Sequence, residues 1–110
     1  MHSTELLKGT LQTTILKVLT DYGKMYGYEI AQRVKDLSER EILLTEGALY
    51  PTLHKMESEG LLKSETVNVG RRVRKYYALT ANGTAANEKK MREFASFVRT
   101  MKYVLNLHTV

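Results

Sequence analysis

The chain has 110 residues, no cysteine and a formal net charge of +5, with a sequence pI near 9.5. This length fits one domain with a single modest core, and the absence of cysteine excludes disulfides and thiolate metal sites. The chain has no apolar run long enough to span a bilayer, and its N-terminus lacks the pattern of a secretory signal. We therefore expect a cytoplasmic protein with no membrane partner, and the basic charge favours a polyanionic one.

Apolar residues at helical spacing predict two helices in the first part of the chain. The first runs from Leu6 to about Tyr22, with apolar residues at steps of three and four. The second follows Gly27 and has Ile30 and Val34 on its inner face. The segment 42–44, Ile-Leu-Leu, could then form a very short strand.

A third helix is predicted from Leu49, Leu53 and Met56, which lie at i, i+4 and i+7 on one helical face. Thr45 is a good N-cap for it. Pro51 conflicts with that start, because a proline beyond the first turn removes a backbone hydrogen bond. We favour a helix capped by Thr45 with a loosened first turn, and the alternative is that Pro51 itself marks the helix start.

A β-hairpin is predicted directly after the third helix. Leu61 and Leu62 begin an extended run, the segment 67–70 offers turn residues, and the segment 73–79 is rich in β-branched and aromatic side chains. The hairpin tip carries a cluster of four cations, namely Arg71, Arg72, Arg74 and Lys75. A helix followed by a hairpin with a cationic tip is typical of a winged-helix DNA-binding protein, whose helix enters the major groove.

The last helix is predicted to begin after Thr80, which can cap it, and to run to about Leu107. It carries apolar residues in two columns, an a/d heptad seam and a second column beside it. These residues are Met91, Phe94, Val98, Met101 and Leu105 in the seam, with Phe97 and Val104 beside it. One small domain cannot easily cover both columns, and a large exposed apolar patch usually marks an interface. The pattern predicts a homodimer through this helix; the alternative is that the seam packs back on its own domain.

Together these elements predict a mainly α fold with a small β-hairpin, an α+β winged helix-turn-helix with a long C-terminal helix. Residues 1–80 would form the DNA-binding part and residues 81–110 the dimerisation helix, within one structural domain overall.

Several ordered motifs resemble the PadR family of bacterial transcriptional regulators. They are YGYEI at 26–30, TEGALYPTL at 45–53, ESEGL at 57–61, GRR at 70–72, KYYALT at 75–80, and Gly83. The resemblance is close over residues 6–83 and extends to the last helix by pattern only. It implies a dimeric winged-helix repressor that binds an operator with two-fold symmetry, of the short subgroup with a single C-terminal helix. Some members bind planar hydrophobic compounds between the subunits through a tryptophan, and here Phe94 and Phe97 are the candidates for that role.

The candidate DNA contacts outside the hairpin lie on the third helix or at positions that resemble the family's backbone contacts. They are Lys8, Tyr26, Thr45, Gly47, Tyr50, Pro51, Thr52 and Lys55. Lys55 suits a phosphate or a guanine edge, and Pro51 and Thr52 suit a thymine methyl group. Tyr50 could bond a phosphate or be an amphipathic core residue, whereas Tyr28 is expected in the core. For the hairpin cations, phosphate or minor-groove contact competes with a merely solvated tip.

Catalysis, a cofactor and a metal site are not expected. His2, His54 and His108 form no i, i+4 pair with a carboxylate, and the chain has no phosphate-cradling loop or nucleophile elbow. Besides the repressor, two hypotheses stay open: a ligand sensor with its pocket at the dimer interface, and a winged-helix module that binds proteins instead of DNA.

Overall fold

The computed structural model describes residues 2–107, so that Met1 and the segment 108–110, with His108, lie outside it. The described residues form four helices and one three-stranded antiparallel sheet with the order β1-β3-β2. The elements are α1 (Thr4–Tyr22), β1 (Met25–Tyr26), α2 (Gly27–Leu37), α3 (Glu46–Ser58), β2 (Leu62–Val69), β3 (Arg72–Leu79) and α4 (Ala81–Val104). The α+β class predicted from the sequence is confirmed. No helix in this part of the chain is long and apolar enough to cross a membrane.

The core lies where α1, α2 and α3 meet the sheet. Ile15 of α1 and Ile30 of α2 are fully buried there, and so are Leu53 and Met56 of α3. Tyr77 of β3 closes the core from the side of the sheet. The apolar faces that define the first three helices in the sequence are therefore the faces that the fold buries.

The third strand is not where the sequence suggested it. The segment 42–44 forms no strand; Ile42 and Leu44 pack against the core as irregular chain. The strand that pairs with β3 is Met25–Tyr26, immediately before α2. Two residues are too few to show the alternation by which a strand is identified, and the prediction for 42–44 is wrong because that segment has no partner strand.

Tyr28 was also placed wrongly, since its side chain is 61% exposed. It lies in the first turn of α2 and stacks on the ring of Tyr26, with 6.4 Å between the ring centroids. The helix face that enters the core begins at Gly27 and Ile30 instead.

The third helix begins at Glu46 with Thr45 as its N-cap, as favoured from the sequence, and the alternative start at Pro51 is wrong. The Thr45 hydroxyl accepts a hydrogen bond from the N–H of Ala48 at 3.2 Å, and the N–H groups of Ala48 and Leu49 both reach the Thr45 carbonyl. Pro51 lies inside the helix but is exposed. The carbonyl of Gly47, which would have received its N–H, belongs to an exposed first turn where water can replace the missing donor.

The hairpin turn is tighter than the sequence suggested. The segment 67–69 continues β2, and only Gly70 and Arg71 connect the strands, so that Val69 pairs with Arg72. Gly70 has a φ of +61°, which glycine adopts without steric cost in a two-residue hairpin turn. At the other end of the chain, α4 ends at Val104, earlier than the predicted Leu107.

Glu57, near the end of α3, attaches both strands of the hairpin to that helix. One carboxylate oxygen lies 3.2 Å from Nζ of Lys75 on β3, and the other accepts a hydrogen bond from the hydroxyl of Ser64 on β2. The hydrogen bond from Ser64 and then the charge and hydrogen bond of Lys75 hold the pKa of Glu57 below its ordinary value. The ionised carboxylate is therefore the form that fits this position.

Gly83 allows α4 to start close against the beginning of the hairpin. A Cβ atom at Gly83 would lie 2.1 Å from the carbonyl oxygen of Leu61. Thr80 fixes the same corner, because its hydroxyl accepts the N–H of Gly83 at 3.0 Å and donates to the Gly60 carbonyl at 2.6 Å. Any side chain at position 83 would therefore force the backbone of α4 away from the backbone at Leu61.

We predict that Gly83→Ala lowers the free energy of unfolding by about 1–3 kcal/mol, as overpacking against a rigid neighbour does. The measurement is urea unfolding at a fixed protein concentration. Gly9→Ala is the control, because a Cβ at Gly9 in α1 meets nothing within 4 Å and alanine in a helix gains about 0.5–1 kcal/mol over glycine. Equal effects of the two variants would contradict the close approach at Leu61.

We predict that Glu57→Gln destabilises the protein by about 0.5–1 kcal/mol at pH 7, as the loss of one charged hydrogen-bond acceptor at a partly exposed site does. Because the folded pKa of Glu57 is lowered, its contribution is complete above the ordinary glutamate pKa and is lost as the pH falls through the folded value. The difference between wild type and variant should therefore shrink below about pH 4.3. Glu59→Gln, which removes the same charge from the exposed end of α3, should show no such difference in unfolding curves across pH.

Candidate nucleic-acid interface

One side of α3 presents an exposed column of residues. Gly47, Pro51 and Lys55 follow one another at intervals of four and are all exposed, on the side away from the buried Leu49 and Leu53. Gly47 and Pro51 have small side chains and add little bulk to this surface, and Lys55 lies about one turn from the C-terminal end of the helix. This is the face that can approach the edges of base pairs, with a cation placed for a phosphate or a guanine.

The threonine hydroxyls on α3 are used within the helix. The Thr45 hydroxyl caps the helix, and the Thr52 hydroxyl donates to the carbonyl of Ala48 at 2.9 Å. Thr52 is half-buried, so that its methyl group is the part left for an apolar contact. Contact of either residue with DNA stays a prediction.

Tyr50 lies between α2 and α3 and not in the exposed column. Its ring packs so closely on Gly27 that a Cβ atom there would lie 2.6 Å from the tyrosine hydroxyl oxygen. The side chain is half-buried and packs against the core. This position favours the interpretation of Tyr50 as an amphipathic core residue, whose hydroxyl reaches the start of α2.

Lys8 lies at the same edge of the molecule as the start of α3. A groove of about 380 Å³ separates α1 from the first turns of α3. Lys8 lines it from one side, and Gly47, Pro51 and Thr52 line it from the other. The structure thus brings Lys8 beside the exposed column of α3, although the two are far apart in sequence.

The pleat of β3 divides the hairpin cations between two faces. Side chains alternate along a strand, so Arg72 and Arg74 share one face with Tyr76, and Lys75 lies on the other. Lys75 forms the ion pair with Glu57, whose hydrogen bond and charge raise the pKa of the lysine. Arg71 occupies the turn and is exposed, as is Arg72, and neither has an ion-pair partner among the described residues.

Arg74 also has a protein partner. The central carbon of its guanidinium group lies 4.4 Å from the ring centroid of Tyr26, and the side chain is half-buried. Of the four cations on the hairpin, Arg71 and Arg72 are therefore the two that share their charge with no carboxylate or ring among the described residues.

A second ion pair at the base of the hairpin was missed from the sequence. Lys24, just before β1, bonds the carboxylate of Glu65 on β2, and its ammonium group lies 5.8 Å from the ring centroid of Tyr76. The hydrogen bond between them raises the pKa of Lys24 and lowers the pKa of Glu65. Nothing in the sequence could pair these two residues without knowledge that β1 joins the sheet beside β3.

The residues predicted for the dimer interface lie along the part of α4 that leaves the domain. Only Gly83 and Asn87 of this helix are buried, both near its start. Met91 and Met101 are half-buried, and five others are exposed in the single chain: Phe94, Phe97, Val98, Val104 and Leu105. Phe97 and Val104 are exposed by 58% and 68%, which leaves the second apolar column without cover.

Comparison with known proteins finds relatives over most of the chain. The model of the PadR-like family of transcriptional regulators matches residues 15–89. A transcriptional regulator of Mycobacterium tuberculosis is 38% identical over 65 residues, which are 59% of this chain and 61% of that protein. The matched segment therefore spans less than two thirds of that relative.

Solved structures share the whole fold. A transcriptional regulator from Clostridium thermocellum superposes with a TM-score of 0.80 at 26% identity, over 97% of this chain and 100% of the other. A PadR family regulator from Clostridium difficile gives 0.75 at 36% identity, over 88% and 99%. Bacillus subtilis PadR, solved in complex with operator DNA, gives 0.67 at 27% identity, over 74% of this chain and 46% of that one. The family match and these shared folds establish that the chain belongs to the PadR-like family, whose members are transcriptional regulators and not enzymes.

Proposed function

We propose that the protein is a repressor that acts in the cytoplasm and binds a two-fold symmetric operator as a homodimer. The observation that carries the proposal is the pair of unshared, exposed arginines, Arg71 and Arg72, at the tip of a hairpin that Glu57 ties to α3. Bacillus subtilis PadR, a relative with the same fold, was solved on operator DNA. That relative supports DNA as the polyanionic partner that the basic charge of this chain favours.

In the proposed interface, α3 and the cationic residues outside it would contribute differently to DNA binding. The exposed column Gly47, Pro51 and Lys55 enters the major groove and contacts base edges, which supplies sequence preference. Arg71 and Arg72 reach the neighbouring backbone or minor groove, and Lys8 reaches a phosphate beside the start of α3. Such cationic contacts release condensed counterions and give affinity with little sequence information.

The exposed apolar residues of α4 support the proposed dimer. Such an exposed apolar column is what a helix needs in order to pair with a second copy of itself. If the two-fold axis between two such helices leaves both copies of α3 on one side of the dimer, they can contact half-sites about 34 Å apart, one turn of DNA. The operator would then show the same two-fold symmetry as the protein.

An apolar effector between the paired helices is a secondary hypothesis. It rests on Phe94 and Phe97, which are exposed on α4 in the single chain. The apolar groove of about 380 Å³ belongs instead to α1, α3 and the loop before α3. Dimer packing alone accounts for both phenylalanines, so we attach the hypothesis to the dimer and not to a cavity within the subunit.

We predict that the double variant Arg71→Ala/Arg72→Ala weakens binding to operator and unrelated DNA alike. With about eight phosphates neutralised per dimer, the slope of log K against log salt is near −7, and the loss of four contacts reduces its magnitude by about 3.6. Fluorescence anisotropy over a salt series with DNA from upstream of its own gene measures both quantities.

The matched control is Lys89→Ala/Arg92→Ala, which removes the same charge from the exposed side of α4 opposite its apolar seam. It should leave the slope within about one unit of wild type, because no phosphate contact is lost. An unchanged slope in the hairpin variant would contradict the assignment of the tip. Wild-type protein that binds no DNA at low salt would favour the protein-interaction module.

We predict that Phe97→Glu/Val104→Glu makes the protein monomeric, because two carboxylates would be buried without partners in the paired helices. Analytical ultracentrifugation at micromolar concentration measures the mass. Ser96→Glu, which adds a charge on the side of α4 opposite its apolar seam, should leave the dimer intact. Wild-type protein that sediments as a monomer would contradict the proposed dimer directly.

A further inference from the structure

We propose that Arg74 is a positioning residue: it stacks on Tyr26 and fixes the angle of the hairpin relative to α2. The consequence for DNA binding rests on the proposed function, but the stacking itself is a property of the free protein. On this basis Tyr26 also acts through the hairpin, by means of its ring and not by a hydroxyl contact with a phosphate.

The distal hairpin needs such support because the third strand is short. β1 pairs Met25 with Tyr77 and Tyr26 with Tyr76, and then α2 begins at Gly27. From Lys75 to the tip, β2 and β3 form a ribbon of two strands only. A two-stranded ribbon in water is marginally stable without further packing, so its direction is poorly set by the backbone ladder alone.

The ring of Tyr26 extends the support beyond the end of β1. Arg74 lies two residues from Tyr76 on the same face of β3, and its guanidinium group lies 4.4 Å from the Tyr26 ring centroid. The ring also contacts Tyr76 edge-on, at 5.4 Å between centroids, and stacks on Tyr28. The N–H of Tyr26 donates to the carboxylate of Glu29 at 3.3 Å, which holds the backbone from which the ring projects.

The opposite face of the ribbon is held at the next residue. Lys75 pairs with Glu57 of α3 at 3.2 Å. The hairpin is therefore clamped from both faces at Arg74 and Lys75, and the segment beyond them is free. Arg72 lies two residues further along β3, about 7 Å from Arg74, and Arg71 follows in the turn, so these two cations lie closest to the hairpin tip.

Arg74 and Arg72 therefore have different roles, which the sequence alone does not distinguish: Arg74 positions the hairpin, and Arg72 contacts DNA. A guanidinium group packed on the neutral ring of Tyr26 keeps its full charge, but it is held at that ring and is not free to move to a phosphate. Loss of Arg74 should therefore act mainly through a loosened hairpin. Loss of Arg72 should act through the lost charge.

The test compares four variants of the full chain: Arg74→Ala, Tyr26→Leu, Tyr26→Phe and the double variant Arg74→Ala/Tyr26→Leu. Arg33→Ala is the matched control, because Arg33 stacks on Tyr22 at 4.3 Å in the same way but away from the hairpin. The first readout is amide hydrogen exchange of the β2–β3 ladder in the free protein. The second is DNA affinity at fixed salt.

We expect Arg74→Ala and Tyr26→Leu to speed exchange between Thr66 and Arg74 by about three- to tenfold, the range that a partly exposed cation–π contact supports. Tyr26→Phe keeps the ring and should match wild type, and Arg33→Ala should leave this ladder unchanged. In DNA binding, the double variant should be no weaker than the weaker single variant, because both remove one interaction.

Unchanged ladder exchange in Arg74→Ala would overturn the proposal, as would single-variant losses of affinity that multiply in the double variant. If Tyr26→Phe loses DNA affinity while the amides of the β2–β3 ladder stay protected, the result would favour a contact between the Tyr26 hydroxyl and a phosphate and would contradict the proposal. If wild type binds no DNA, the proposed function fails, and the exchange measurements still decide whether Arg74 holds the hairpin. If Tyr26→Leu does not fold, Arg74→Ala and Tyr26→Phe give the same decision.

Discussion

The central strand β3 is the constraint on which the other elements depend. It pairs with β1 on one side and β2 on the other, and its Tyr77 is the large side chain by which the sheet closes the core. Through Tyr77 the strand is fixed to the helices, and through Lys75 and Arg74 its two faces are held to α3 and to the residue before α2. A single strand therefore sets where the cationic tip lies relative to the helix that would read bases.

The helices could be predicted from the sequence because their buried apolar residues recur at intervals of three and four. Leu49, Leu53 and Met56 are spaced as a helical face and are all buried, and Thr45 caps the helix as its hydroxyl chemistry requires. The two-residue strand β1 was not predictable, since two residues carry no period. Without β1 the packing of Tyr26, the ion pair of Lys24 and the exposure of Tyr28 could not be inferred either.

In the candidate interface, too, some features could be predicted from the sequence and others depend on the fold. The sequence located the cations of the hairpin correctly as a group, because charge is a local property. Their separate roles depend on register, and a shift of one residue in the turn exchanges the two faces of a strand. The turn is Gly70–Arg71 and not the longer segment predicted, and this places Arg74 against Tyr26 and Lys75 against Glu57. Only the folded register could show that two of the four cations already have partners.

The internal partners of these cations carry a consequence for specificity. Every unshared cation on a DNA-binding surface strengthens binding to all sequences equally, whereas base contacts strengthen binding to one. Glu57 and Glu65 compensate lysines within the hairpin region, and Tyr26 engages an arginine. The two carboxylates lower the net charge available to phosphates of any sequence, whereas the neutral ring of Tyr26 leaves the charge of Arg74 in place. Under the proposed function, a larger share of the binding free energy would then come from base contacts of Gly47, Pro51 and Lys55, which favours discrimination between an operator and other DNA.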